Sequence, residues 1–341
     1  MRYLHAHSIS SHDVRYAFAS GRIRALEMKL IGKQRMERLA EARDLDECLR
    51  LLSDTVYGEH LEETEGAGYE AFLRNEERRL LDLVESLSLD EPLSDVLRLE
   101  YDFNNLKVLL RETASGRDLS ALYSDLGKYP VAGIRDVLAA ETPGRLPAPL
   151  DEAAALGMEA WERASDPAEV DTAVDGVMFA HFLQAAAGHG VPYLEALTRV
   201  RIDLANIRTF LRSRYIKIEP RDFGRLLYPG GSVKPAALAE AYQLPIDEVL
   251  VRFTFSPYRH VMEKGAYGLE KDNSFVPLER EIDSYVVSFL KVSRYFTFGF
   301  EIVMAYALMK KNEIKTLRLI MASKEKGISP EEIKRRIPDA F

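Results

Sequence analysis

The chain has 341 residues, 47% hydrophobic and 29% charged, a balance that excludes a largely disordered chain and supplies a sizeable core. With 46 Lys and Arg against 54 Asp and Glu the formal net charge is −8, a poor balance for general nucleic-acid binding. The single cysteine, Cys48, excludes an internal disulfide and a paired-cysteine metal site.

Helical periodicity dominates, and alternating apolar/polar runs are scarce. In chain order, residues 14–41 read as one helix rich in Arg and Lys. Residues 44–52 read as a short helix with Asp44 at its N-cap. Residues 69–87 form a long charged helix, and Pro92 opens another that runs to about Glu112. Pro143, Pro147 and Pro149 mark residues 139–151 as a linker or an irregular crossing. Helices follow over 151–164 and 167–187. After the break Gly188-His189-Gly190-Val191-Pro192 another reaches Tyr215. Residues 228–235, YPGGSVKP, read as a loop, and short helices follow at 235–241 and 246–252. Pro277 opens a long helix, Gly299 lies near the start of the next, and Ser329 caps the last with Glu332 at capping-box spacing. The longest clean apolar run toward the C-terminus, Ile302 to Met309, is eight residues, against roughly 20 for a spanning helix. The stretch MRYLHAHSISSHDVRY is too polar for a signal-peptide core. The chain is therefore expected to be cytoplasmic.

A repeat emerges from comparison of the chain with itself. Residues 102–111 read DFNNLKVLLR and residues 203–212 read DLANIRTFLR, 101 residues apart. The shared pattern is Asp102, Asn105, Lys107 and Arg111 in the first copy, and Asp203, Asn206, Arg208 and Arg212 in the second. A weaker third copy carries Glu313, Lys315 and Arg318, with Lys310 in place of the Asp and Glu313 in place of the Asn. Each copy is preceded by a helix with acids near its start: Glu70 and Glu76, Asp171 and Asp175, Glu279 and Asp283. Each is followed by an expected short amphipathic helix, over Leu119–Leu126, Phe223–Leu227 and Ile328–Ile337. The stretch RIRALEMKL…DLDECLRLL near the N-terminus resembles the second half of one more unit. A period near 100 residues is too long for a solenoid. It implies an all-α chain of three related helical modules, residues 1–140, 141–240 and 241–341.

On a helix, Asp102, Asn105 and Leu109 share one side, with Lys107 and Arg111 forming a basic edge. Asp and Asn are mediocre helix formers, so their recurrence inside helices points to a common task. The expected task is structural: buried amides and carboxylates serve as hydrogen-bond partners. No catalytic, cofactor or metal site is assigned. His5, His7 and His12 would suit a metal only on a strand. Gly230-Gly231 lacks the spacing and following Lys-Ser/Thr of a phosphate loop. Charge is uneven: residues 41–100 hold 18 acids and 6 bases, and residues 310–336 hold 9 bases and 4 acids. The basic stretch makes Lys324, Lys326 and Lys334 candidate partner contacts.

The pattern D-x-x-N-[LI]-[KR]-x-x-[LF]-R, placed twice about 100 residues apart, resembles the C-subunit family of V/A-type (vacuolar/archaeal-type) rotary ATPases, to which the d subunit of the eukaryotic V-ATPase is related. The C-terminal elements Ala305-Tyr306, Glu313 to Arg318, Gly327 and Glu331-Glu332-Ile333 resemble that family's end, and Leu51 to Leu61 its first module. The resemblance covers nearly the whole chain. It implies a funnel-like protein of three modules about a pseudo-threefold axis. It also implies a non-catalytic central-stalk rotor component without a cofactor, peripheral on the membrane. Its partners would be the D and F subunits of the central shaft and the membrane rotor ring, which carries protons or sodium. An unrelated helical scaffold would share the composition but has no reason to combine these signatures. A helical prenyl-chain synthase would need DDxxD clusters, which Asp44-Leu45-Asp46-Glu47 does not supply.

Overall fold

The computed structural model describes residues 7–62, 68–139 and 146–339, with the side chains of His7, Glu59 and Glu62 left out. Every regular element among the described residues is helical. The chain forms two compact units: Met1–Leu89 with Ile246–Phe341, and Asp90–Pro245. His5 and Pro143 lie outside the described residues.

The expected single helix over 14–41 is broken. A 3-10 turn, Val14–Tyr16, leads into α1 (Ala17–Glu27), and α2 (Lys33–Glu41) starts afresh after Gly32. The physical reason lies between them: the Ile31 N–H is drawn away to the Glu313 carboxylate, so no helical carbonyl receives it. Helix α3 (Leu45–Ser53) is capped as its sequence dictates, Asp44 Oδ1 accepting from the Glu47 N–H at 2.8 Å. Two more follow, α4 (Gly58–Glu62) and α5 (Tyr69–Leu87).

The second unit opens with α6 (Glu91–Ser115), which begins at a proline turn and stops at Gly116 with φ +64°. Then come α7 (Val131–Ala139), α8 (Ala148–Ala164), α9 (Pro167–Gly188), α10 (Pro192–Ile216), α11 (Pro220–Phe223) and α12 (Pro235–Ala241). Helices α6, α8, α9 and α10 pack into a bundle. Its core holds Phe103, Leu106 and Leu109 of α6, Val174 and Phe182 of α9, and Ile207 and Phe210 of α10. The expected helix over Leu119–Leu126 shrinks to a 3-10 turn at Ser120–Leu122. Asp118 takes the Ser120 N–H, and Asn105 takes both peptide groups of Ser124, so the segment cannot build a helical ladder. Phe223 stacks on Tyr242 with ring centroids 4.0 Å apart.

The chain then returns to the first unit with α13 (Ile246–Arg252), α14 (Arg259–Asp272), α15 (Val276–Leu290), α16 (Phe300–Glu325) and α17 (Pro330–Lys334). Helix α16 is its axis. The run Ile302 to Met309 is buried nearly all round, which is why it shows no amphipathic period. Farther along, Ile314, Leu317, Ile320 and Met321 share one core with Ile31, Met36, Leu39, Cys48, Leu52, Tyr57 and Phe72 from the N-terminal helices. Among the described residues no helix is long and apolar enough to cross a membrane.

The α14–α15 corner depends on Gly268. A Cβ there would stand 2.7 Å from Pro277 Cγ and 3.0 Å from the Ser274 carbonyl oxygen. Alanine in a helix gains roughly 1 kcal/mol over glycine, but overpacking against a rigid ring and a backbone oxygen costs about 1–3 kcal/mol. Gly268→Ala is expected to lower the melting temperature. A variant melting above the parent would show that the corner relaxes freely.

Candidate functional site

The recurring polar residues sit inside their helices and face a loop that their own segment makes. Asp102, Asn105, Asp203 and Asn206 all have 0% solvent exposure. Asn105 Nδ2 donates to the Ser124 carbonyl and its Oδ1 accepts the Ser124 N–H, both at 2.8 Å. Asn206 does the same with Tyr228, again at 2.8 Å both ways. One turn earlier, Asp102 accepts from the N–H groups of Lys128 at 2.9 Å and Tyr129 at 3.1 Å. Asp203 accepts from those of Ser232 at 3.1 Å and Val233 at 2.9 Å. In both copies the Asp-bound residues lie four and five positions after the Asn-bound one, and the next helix starts directly after them. The helix-side spacing i, i+3 thus grips a loop in one fixed register.

Sequence reasoning missed the glycines that make this grip close enough. A Cβ at Gly127 would lie 2.1 Å from Asp102 Oδ1, and one at Gly231 would lie 2.2 Å from Asp203 Oδ1. Each stands three positions after the Asn-bound residue. The signal was present in YPGGSVKP, where the second glycine serves carboxylate approach rather than phosphate.

The third copy uses charge. Glu313 is 1% and Lys310 is 8% exposed, and Lys310 Nζ donates to Glu313 Oε1 at 2.8 Å. Tyr57 donates its hydroxyl to the same oxygen at 2.5 Å, and the Ile31 N–H reaches the other. The Lys310 ammonium also lies 3.9 Å from the Tyr57 ring centroid. Burial, and then the Glu313 charge, hold the Tyr57 hydroxyl well above its ordinary pKa. The loop gripped here comes from the N-terminal segment between α1 and α2. Beside it, a cleft of about 350 Å³ is bordered by Tyr306, Lys310, His60, Glu76 and Arg79 among others.

The basic edges join helices. Lys107 pairs with Asp175 at 2.8 Å, and Arg111 pairs with Asp171. Lys315 pairs with Asp283 at 2.7 Å, and Arg318 reaches Glu70 at 3.0 Å and Glu77 at 3.4 Å. Glu76 instead holds His60 at 2.5 Å and Arg79 at 2.9 Å. Arg208 is half-buried and Arg212 exposed on α10. Among the candidate partner contacts, Lys324 is buried, close enough for its charge to act on Cys48. Its side chain packs on the helix that lines the core holding Cys48. Lys334 pairs with Glu41 at 2.5 Å, and Lys326 is exposed. A further buried carboxylate lay hidden in the sequence: Glu301, 0% exposed, accepts from Ser10 Oγ at 2.9 Å, the Ser11 N–H at 2.7 Å and Ser11 Oγ at 2.8 Å. Among the described residues no cluster of three or more His, Cys, Asp and Glu side chains is placed to hold a metal.

These buried groups are saturated by their own chain and shut off from solvent. What they can do is fix helices to loops and to one another. Fold and anchors together define an all-helical protein built from recurring, internally tied helices. Residues 19–336 match the family described as the ATP synthase (C/AC39) subunit, and the chain belongs to that family. Its relatives include the C subunit of the A-type ATP synthase of Thermococcus onnurineus, 25% identical over 95% of this chain and 90% of the relative. The C subunit of the V-type sodium ATPase of Enterococcus hirae is 24% identical over 94% of this chain and 97% of its own length. Its counterpart in the A-type ATP synthase of Methanocaldococcus jannaschii is 23% identical over 94% of the chain and 85% of the relative.

Two outcomes follow from the anchors. Asn206→Ala strands both peptide groups of Tyr228, a cost of about 1–3 kcal/mol, and a thermal melt of the isolated chain should register it. A variant melting like the parent would dismiss the anchor. Second, burial pushes the Asp102 carboxyl up to about 6 from its ordinary 3.8, against the Lys128 and Tyr129 N–H groups, which pull it down. The folded state therefore holds this proton more tightly than the unfolded chain. Its stabilising contribution is complete below the unfolded value and is lost as pH rises through the folded one. Asp102→Asn should flatten that part of the stability profile between about pH 4 and 7; an unchanged profile would exclude Asp102 as its source.

Proposed function

We propose that the chain is a non-catalytic central-stalk component of a V/A-type rotary ATPase, coupling the D and F subunits of the shaft to the ion-carrying membrane ring. The observation that carries this reading is the family match over residues 19–336. The anchors support it physically. A part that passes torque between two neighbours needs helices that do not slip. Side chains buried at 0% exposure and bonded to loop backbone resist slipping, since every displacement leaves a polar group unpaired. The protein would then lie at the membrane surface through its complex. We further propose that it is built of three related modules, residues 1–140, 141–240 and 241–341, the third copy of the motif being completed by the N-terminal segment.

Purification of the intact assembly from membranes tests the reading. Shaft and ring proteins are expected beside this chain, while the isolated chain should show no ATP turnover. A preparation without either neighbour, or turnover abolished by one substitution in this chain, would overturn it. Within the basic stretch, Lys326→Glu is the appropriate charge reversal, because Lys326 is exposed and its change leaves the core untouched. Weakened assembly that deepens with added salt would mark Lys326 as a docking charge. Unchanged assembly at low salt would mark it as merely solvated.

A further inference from the structure

Helix α1 turns Ala19, Ser20 and Ile23 into the core of its unit. Its opposite face carries a second apolar stripe that stands exposed among the described residues. Val14 is 68%, Phe18 78% and Met28 86% exposed, and Gly21 and Ala25 between them are exposed too. Positions 14, 18, 21, 25 and 28 advance by alternating steps of four and three, the spacing of a coiled-coil seam; Phe18, Gly21 and Ala25 lie within α1, Val14 in the 3-10 turn before it and Met28 just after its end. The position after each of 14, 21 and 28 is basic: Arg15, Arg22 and Lys29, seven residues apart, all exposed. Arg15 is engaged by Asp13 at 2.7 Å, so the outward charge of this edge rests on Arg22 and Lys29.

Scattered exposed apolar residues need no explanation. Here Phe18, Gly21 and Ala25 keep seam spacing within α1, Val14 and Met28 extend the stripe at its two ends, and Arg22 and Lys29 stand along one flank. The centre of the stripe is small, and a Cβ at Gly21 would meet nothing within 4 Å, leaving a shallow seat between Phe18 and Met28 that suits a packed helix.

We propose that this face of α1 docks a helix from another protein of the assembly, one with an apolar heptad seam flanked by Asp and Glu. The inference rests on the rotary-assembly reading for the existence of such a neighbour, and names the chemistry of the neighbouring helix. Seam burial supplies the contact, and the basic flank selects an acidic partner and sets its orientation.

A photo-crosslinking residue placed at Phe18, at Met28 and, as a control, at exposed Leu122 tests this in the complex purified from membranes. Adducts from positions 18 and 28, mapped by mass spectrometry, should fall on one helix of another protein whose sequence shows apolar heptads with flanking acids. Phe18→Glu should weaken assembly about tenfold or more, with the isolated chain's melt unchanged. Arg22→Glu should weaken it most at low salt. An intact complex giving no adduct, an adduct to lipid or to a basic segment, or unaltered assembly of Phe18→Glu would overturn the proposal. An acid-flanked helix captured in a complex that lacks shaft and ring proteins would sink the rotor reading and leave this one standing. Shaft and ring present without the adduct would do the reverse.

Discussion

The structure depends on buried helix side chains that capture loop backbone. Asn105 and Asn206 each close a two-bond pair with the peptide groups of a single residue, and Asp102 and Asp203 take two N–H groups farther along the loop. Each such bond adds only about 1 kcal/mol net, but an unmet buried partner costs about 1–3 kcal/mol. The asymmetry makes the grip a selector of register more than a source of stability. A slipped loop offers the same kinds of peptide group, so the discrimination comes from the close approach: a residue with a side chain at the place of Gly127 or Gly231 would meet the carboxylate.

The third copy shows how the same place in a helix is filled by different chemistry. Glu313 and Lys310 stand where the other copies have Asn and Asp, and they neutralise each other while Tyr57 and Ile31 complete the set. A buried ion pair is weak as a stabiliser but costly to break. Here it recruits Ile31 and Tyr57, more than 250 residues away in sequence. The second unit is one continuous stretch, whereas the first needs Met1–Leu89 and Ile246–Phe341 together. Local contacts form faster than distant ones. The physical expectation is that Asp90–Pro245 assembles first and the Glu313 cluster closes late.

Much of the fold was legible because it follows from local chemistry. Helices with a proline turn or a capping acid at the start, such as α3, α6 and α10, fall within a few residues of their expected positions. The failures have tertiary causes. The break at Ile31 needs Glu313, and the unwound segment at Ser120–Tyr123 needs Asn105, neither visible from the segment's own propensities. Helix α14 escaped notice because Gly265 and Gly268 weaken its signal, though Gly268 is there to let Pro277 approach. At the site, the pattern exposed the anchoring side chains but not their targets. Backbone N–H and C=O groups carry no sequence signature, and of the loop only its glycines could have been read.

That limit bears on where partner surfaces can be found. A repeated motif reports what each segment must do for itself, so its members point inward and end up saturated, as the 0% exposure of Asp102, Asn105, Asp203 and Asn206 attests. Even the basic edges at Lys107, Arg111 and Arg318 are spent on acids of neighbouring helices. Along residues 310–336 the charges are partly engaged within the chain: Lys334 pairs with Glu41, and Lys310 with Glu313. Surfaces that meet different neighbours have no reason to recur. They are to be sought in features peculiar to one segment and unused by its own core, and the outward stripe of α1 is such a feature. Its seam spacing runs through the helix at Phe18, Gly21 and Ala25 although the inner face of the same helix already satisfies the fold. Helix packing alone requires one apolar face; a second, in seam register and with a basic flank, is a constraint imposed from outside the chain.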